Sequence, residues 1–343
     1  MSCIFRNWFN VHYATKEWRQ FDYERDLLSR LDWDSFSFRK VGEFEPDDQS
    51  SVKRTETKID VEDLNGPPGG ALPGLESFED DVEPEIDFAA LVRVLLDVIP
   101  NPWQGARMLE DALAVLRKRQ FSEKRLFTNR LALIKAMKDD LKEQVSAAGE
   151  AEFRRMLAAG ELSFKLVSSN DPVLNWALAE TLELDVTDDD KQLLRKEGGK
   201  LERSFFEPVY QKQVNGLEKE VAWYLDEQKA VQWWHRIAVH QDWHLQGWQK
   251  QRVYPDFLAS LHDKGDGKLR FTVLETKGLH LAGNEDTEYK RRLFEVLTEF
   301  SKHAQAVGEV KIEMKQKHLR FELLLDKDWR VKLPGIFDEQ LQQ

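Results

Sequence analysis

Asp256, Glu275 and Lys277 have side chains and spacing that suit work on a metal ion. Side chains of an extended strand alternate between faces, so Glu275 and Lys277, two positions apart, point the same way. Oxygens from Asp256 and Glu275, with the Thr276 carbonyl between them, make a hard, partly hydrated site of the kind Mg²⁺ prefers, and Mn²⁺ is expected to substitute. Lys277 beside such an ion could orient or deprotonate a water and steady a phosphate. Together these groups are the minimum equipment for metal-assisted hydrolysis of a phosphodiester.

Two apolar runs must bring these residues together. Val253, Tyr254, Phe257 and Leu258 precede the segment 263–268, and Leu269, Phe271, Val273 and Leu274 follow it. That segment reads Asp-Lys-Gly-Asp-Gly-Lys, and glycine supplies the positive φ of tight turns, so the pattern predicts an antiparallel hairpin. Asp256 would then lie near the start of one strand and Glu275 near the end of the other. Upstream, Leu217, Val221 and Leu225 recur at four-residue spacing. Glu218 sits one position round from that apolar face, where a helix can present a side chain to a cleft. Lys250, Arg252, Lys290 and Arg291 are candidates for phosphate contacts. His235, His240 and His244, on short strands, do not converge as ligands.

Asp256 and Glu275-x-Lys277 on adjacent strands, after an acidic helix, resemble the PD-(D/E)xK nuclease superfamily. From Phe206 to Leu297 the chain is similar to the C-terminal endonuclease domain of the type III restriction enzyme Res subunit and related helicase-nucleases. The phrases that carry the likeness are Asn215 to Ala222, Val231 to Arg236, Gly247 to Phe257, and Leu274 to Gly278 followed by Tyr289 and Lys290. They lie within the last two fifths of the chain, and their order is more specific than the short motif alone. The resemblance implies a mixed central sheet flanked by helices, restriction-endonuclease-like, and Mg²⁺-dependent cleavage of DNA in a restriction or anti-phage defence system. In that family the helix before the sheet carries a further acidic residue, matched best by Glu218 and second by Glu220. Glu218 would tune the metal or hold a second one.

Charge and composition bound the alternatives. The net charge of −12 equals that of residues 41–100 alone, so the rest of the chain is close to neutral and basic faces can exist. One cysteine, Cys3, permits no internal disulfide, rules out a cysteine-based zinc site and suits a reducing cytoplasm. Arg93 and Asp97 break the most apolar helical stretch, Phe88 to Ile99, so no membrane partner is expected. No Gly-x-x-x-x-Gly-Lys-Ser/Thr loop occurs, so a separate helicase or translocase subunit would have to supply ATPase activity. A homo-oligomer is compatible with all of this.

Four segments follow from composition. Residues 1–40 carry many aromatic rings, with a short helix expected over Asp22 to Leu31. Residues 41–85 form an acidic linker or long loop, rich in Asp, Glu, Ser, Pro and Gly. Residues 86–198 read as an N-terminal, mainly helical domain, with a basic cluster at Arg117, Lys118, Arg119, Lys124, Arg125 and Arg130. Within it, Glu150 to Ala159 is a separate helix after Gly149, Glu161 to Val167 a strand, Pro172 to Glu183 a short helix, and Thr187 to Asp190 a helix cap. Residues 199–343 form the α/β domain. Its expected elements are two helical stretches over Leu201 to Gln228, strands at Val231 to Val239, Trp243 to Trp248, Arg252 to Leu261 and Leu269 to Lys277, a helix over Asp286 to Gly308, and a hairpin of Val310 to Met314 with Leu319 to Leu325.

Two readings compete with catalysis. An inert nuclease-like fold could serve as a DNA-binding or assembly subunit of a defence or repair complex. An inhibitor that mimics DNA through the acidic residues 41–85 is the other.

Overall fold

The hairpin that carries the candidate residues is the centre of a four-stranded mixed sheet. The computed structural model describes residues 4–12, 17–46, 86–167, 185–239, 244–262, 264–265, 269–278, 283–301, 305–307 and 317–342. Its elements run β1 (Ile4–His12), β2 (Glu17–Gln20), α1 (Phe88–Leu95), α2 (Pro102–Lys118), α3 (Glu123–Thr128), α4 (Arg130–Ala158), β3 (Leu162–Val167), α5 (Gly216–Glu227), β4 (Val231–Arg236), β5 (Phe257–Leu261), β6 (Leu269–Lys277), α6 (Glu285–Ser301), β7 (Gln305–Val307), β8 (Lys317–Leu325) and α7 (Trp329–Gln342). The chain forms two compact units, Met1–Ser29 with Glu152–Gln343, and Arg30–Ala151.

In the first unit the strand order is β4-β5-β6-β8. β4 and β5 pair antiparallel, as do β5 and β6, whereas β6 and β8 are parallel, with α6 as the crossover between them. Both faces are covered, which explains why β5 and β6 are nearly continuous runs of buried residues. On one face Phe257, Ala259 and Leu274 pack with Val221, Ala222 and Leu225 of α5 and Leu333, Ile336 and Phe337 of α7. On the other, Leu258, Phe271 and Val273 pack with Leu293, Phe294 and Leu297 of α6 and with Phe153, Met156 and Leu157 at the end of α4. Trp248 is fully buried there, its ring 5.2 Å from Tyr289 and perpendicular to it. Gly247 is required by this packing, since a Cβ would come within 2.5 Å of the Tyr289 hydroxyl and 2.8 Å of Leu293 Cδ1. A second sheet, in the order β2-β1-β3-β7, belongs to the same unit.

The second unit contains α1 to α3 and most of α4. Leu95, Ile99, Leu109, Leu116, Ile134, Met137 and Leu141 are buried in it. Asp140 and Gln144 of α4 bind the backbone of residues 37–39, through Arg39 N–H at 2.7 Å and the Ser37 carbonyl at 2.8 Å. The basic cluster is largely spent on internal partners: Arg117 pairs with Glu123, Arg119 with Glu45 and the Phe44 carbonyl, and Arg125 with the Pro46 carbonyl.

Several expected elements differ. Pairing of β5 begins at Phe257 rather than Arg252, because Pro255 has no N–H to donate. Of the expected strand at Trp243 to Trp248, the described residues show a single bridge, Leu245 to Val253. Thr187 to Asp190 caps no helix; Asp190 accepts the Thr187 N–H at 2.6 Å and pairs with Lys212. Gly149 does not interrupt α4. Asp22 to Leu31 winds as a π turn and a 3-10 turn. Leu201 to Gln228 contains one α-helix, α5, preceded by a 3-10 turn at Gln211–Gln213. The α7 helix was not expected; Pro334 and Gly335 hide it in the sequence, yet Trp329, Leu333, Ile336 and Phe337 bury one side. Strand β8 pairs in parallel with β6, and its expected hairpin partner, Val310 to Met314, lies outside the described residues. So do the helix at Pro172 to Glu183 and most of the acidic segment and of the turn 263–268. Among the described residues no helix is long and apolar enough to cross a membrane.

Candidate active site

Register places the carboxylates together. Phe257 stands opposite Leu274, so Asp256 and Glu275 are the next positions outward on the two strands. Asp256 is fixed by the neighbouring strand: its Oδ2 accepts both the Thr276 N–H and the Thr276 hydroxyl at 2.7 Å. Thr276 therefore orients a carboxylate through its amide and hydroxyl. Glu275 is 3% exposed, and its Oε1 accepts from Lys290 at 2.7 Å and lies 3.2 Å from Lys277. Its Oε2 is buried and has no hydrogen-bond partner among the described residues.

Glu218 reaches the same end of the sheet from the first turn of α5. A capping box holds it there: the Asn215 side chain accepts the Glu218 N–H at 2.9 Å, and Glu218 Oε2 accepts the Asn215 N–H at 3.0 Å. Arg236, the last residue of β4, joins this group. Its Nη2 lies 3.1 Å from Glu218 Oε2 and 3.4 Å from Asp256 Oδ1. On the opposite side Asp286 of α6 lies 3.2 Å from Lys277 and 3.5 Å from Lys290.

The structure thus gathers two groups at one end of the sheet, Glu218 with Arg236 and Asp256, and Glu275 with Lys277, Lys290 and Asp286, which meet where Asp256 and Glu275 take neighbouring positions on β5 and β6. Lys290 touches Glu275, although a phosphate contact was expected of it. Arg291 points elsewhere and pairs with Glu288, and Lys250 and Arg252 are exposed in the loop before β5. Arg236 and Asp286 were not anticipated. The signals were present, since Arg236 ends the strand beside Asp256, and Asp286 precedes Lys290 by one helical turn.

Burial sets the protonation of these groups. It pushes the Glu275 carboxyl above its ordinary value, Asp256 adds to the shift, and Lys290 and Lys277 only partly offset it. Glu218 is raised by burial too, against the pull of Arg236. For Lys277 burial acts downward, but Glu275 and Asp286 outweigh it and the pKa is raised above 10.5. At neutral pH Lys277 is therefore an ammonium, able to donate hydrogen bonds but not to accept a proton.

A stability prediction follows for Glu275. Because its folded pKa is raised, its contribution to stability is fully present below 4.5 and is lost as pH rises through the folded value. In EDTA, Glu275→Gln should gain melting temperature relative to the unmutated protein, and gain more at pH 8 than at pH 5. Equal differences at the two pH values would show that Glu275 is not destabilised by its charge.

Does this set of residues fit a divalent cation? The unpartnered, buried Oε2 of Glu275 is the kind of oxygen a cation would satisfy. With every group ionised, Glu218, Asp256, Glu275 and Asp286 face, among the described residues, Arg236, Lys277 and Lys290, which leaves that set one negative charge in excess. Among the described residues, however, no three His, Cys, Asp or Glu side chains converge as a metal cage. The fit is to an ion held by two carboxylates and completed by water and substrate, as Mg²⁺ commonly is. Compared with protein-family models, curated proteins and solved structures, the chain finds no significant match.

Proposed function

We propose that this protein is a metal-dependent endonuclease that hydrolyses DNA phosphodiester bonds, working in the cytoplasm as the nuclease part of a restriction or anti-phage defence system whose translocase is a separate subunit. The observation that carries the reading is the buried Glu275 carboxylate, with one oxygen unpartnered, beside an Asp256 whose orientation Thr276 fixes. The order α5, three antiparallel strands, α6 and a parallel fourth strand supports it, because a restriction-endonuclease-like sheet with an acidic helix ahead of it was expected from the resemblance.

Mg²⁺ or Mn²⁺ held by Asp256 and Glu275 would polarise the phosphate and acidify a bound water. Lys277 donates hydrogen bonds to that water or to a phosphate oxygen. Its ammonium form, which Glu275 and Asp286 favour, suits donation to the water or the phosphate. Lys290 pairs with Glu275 and remains a candidate for a phosphate contact when substrate binds. Lys250, Arg252 and Arg291 remain candidates for contacts to the DNA backbone.

A second reading is a non-catalytic DNA-binding or assembly subunit. Two observations favour it: Lys277 and Lys290 already occupy Glu275 Oε1, and no three metal donors converge among the described residues. Incubation with supercoiled plasmid separates the two readings. The nuclease reading expects nicking with Mg²⁺ or Mn²⁺ and none in EDTA. DNA binding without nicking under both conditions would favour the second.

A further inference from the structure

We propose that Arg236 is a built-in cation that restricts the centre to one divalent ion, with Glu218 serving as its counter-charge and not as a metal ligand. This rests on the metal-centre reading above and adds to it the number of ions. Lone-pair accounting on Asp256 gives the first argument. A carboxylate offers about four acceptor directions, two on each oxygen. Thr276 takes two on Oδ2, at 2.7 Å from its amide and 2.7 Å from its hydroxyl. Arg236 Nη2 stands 3.4 Å from Oδ1 as an ion-pair contact, so its positive charge faces the oxygen that remains to hold an ion.

The guanidinium is also held in place. Its Nη1 donates to the Ile237 carbonyl at 2.9 Å and the Asp256 carbonyl at 3.1 Å, and the side chain is only 14% exposed. Leaving would break both backbone bonds. Glu218 Oε2, the oxygen facing Arg236, already accepts the Asn215 N–H. A second divalent ion between Glu218 and Asp256 would need the space the guanidinium fills, and would meet its positive charge where water screens poorly. Arg236 supplies the neutralisation a second ion would otherwise give. It is a positioning residue: it holds Asp256 and touches no reacting atom.

The number of bound ions tests this without reference to cleavage. Mn²⁺ titrated into the full chain without DNA, followed by calorimetry and electron paramagnetic resonance, should give one ion per chain with no coupled Mn–Mn signal. Arg236→Met removes the charge while keeping the stem, and should admit a second ion with a coupled signal; Arg236→Lys should stay at one. Glu218→Gln should also bind one ion, which keeps the test alive if Arg236→Met fails to fold. Two ions in the unmutated protein, one ion in a folded Arg236→Met, or loss of the ion in Glu218→Gln would each overturn the proposal. No ion in the unmutated protein would instead remove the metal-centre reading on which it stands.

Discussion

Lys277→Ala should lower the rate of plasmid nicking by about 10²–10³-fold, the usual loss when one preorganised donor is removed from developing charge. The ammonium is held by Glu275 and Asp286 at 3.2 Å each, on the same side of β6 as Glu275. Nothing in the fold depends on it alone. Lys290 stays on Glu275, and the β6 pairing with β5 and β8 is made by backbone. The melting temperature and the affinity for a DNA duplex, measured by fluorescence anisotropy, should therefore change little. A variant that nicks as fast as the unmutated protein would remove Lys277 from the chemistry. One that loses DNA binding in parallel would make it a binding residue.

The largest structural effect is expected away from these carboxylates, at Asp226. This residue is fully buried at the end of α5. It accepts from Arg195 Nε at 2.7 Å, the Arg203 N–H at 2.8 Å, the Glu202 N–H at 3.0 Å and Trp234 Nε1 at 3.2 Å. It thereby ties the segment 195–203 to the helix that carries Glu218 and to the strand that carries Arg236. Burial alone would raise its pKa, but these bonds outweigh it and hold the carboxyl below 3.8. Its stabilising contribution is accordingly present at neutral pH, and is lost only as pH falls through the folded value. Asp226→Ala leaves four donors without an acceptor and should cost about 3–5 kcal/mol in urea unfolding. Asp226→Asn, which keeps one acceptor oxygen, should cost less. A cost below that of an ordinary surface substitution would mean that the segment 195–203 is held by its apolar contacts instead.

How far the sequence reveals this arrangement depends on how local each signal is. The β5–β6 hairpin follows from two apolar runs flanking a glycine-bearing turn and the Glu275-x-Lys277 face from period-two alternation, so β6 is found with its expected bounds. Glu218 was found by its place at the edge of a helical stripe. The α7 helix was missed because Pro334 and Gly335 break its pattern, and only its packing against β6 and β8 makes it stable. Asp286 stands one helical turn before Lys290, but spacing alone assigns neither it nor Arg236 to the site. Their roles come from the pairing of β4 with β5 and from the crossover that returns α6 over the sheet, both long-range facts. The same limit applies to the basic cluster at 117–130, whose charge is plain in the sequence but is in large part taken up by partners such as Glu45 and the Pro46 carbonyl.

Anomalous diffraction from a crystal soaked in Mn²⁺ tests the central claim most directly. The account predicts a single peak about 2–2.3 Å from oxygens of both Asp256 and Glu275. Crystals of a DNA-binding form of the protein that show no peak there, or a peak bound by other residues, would contradict it.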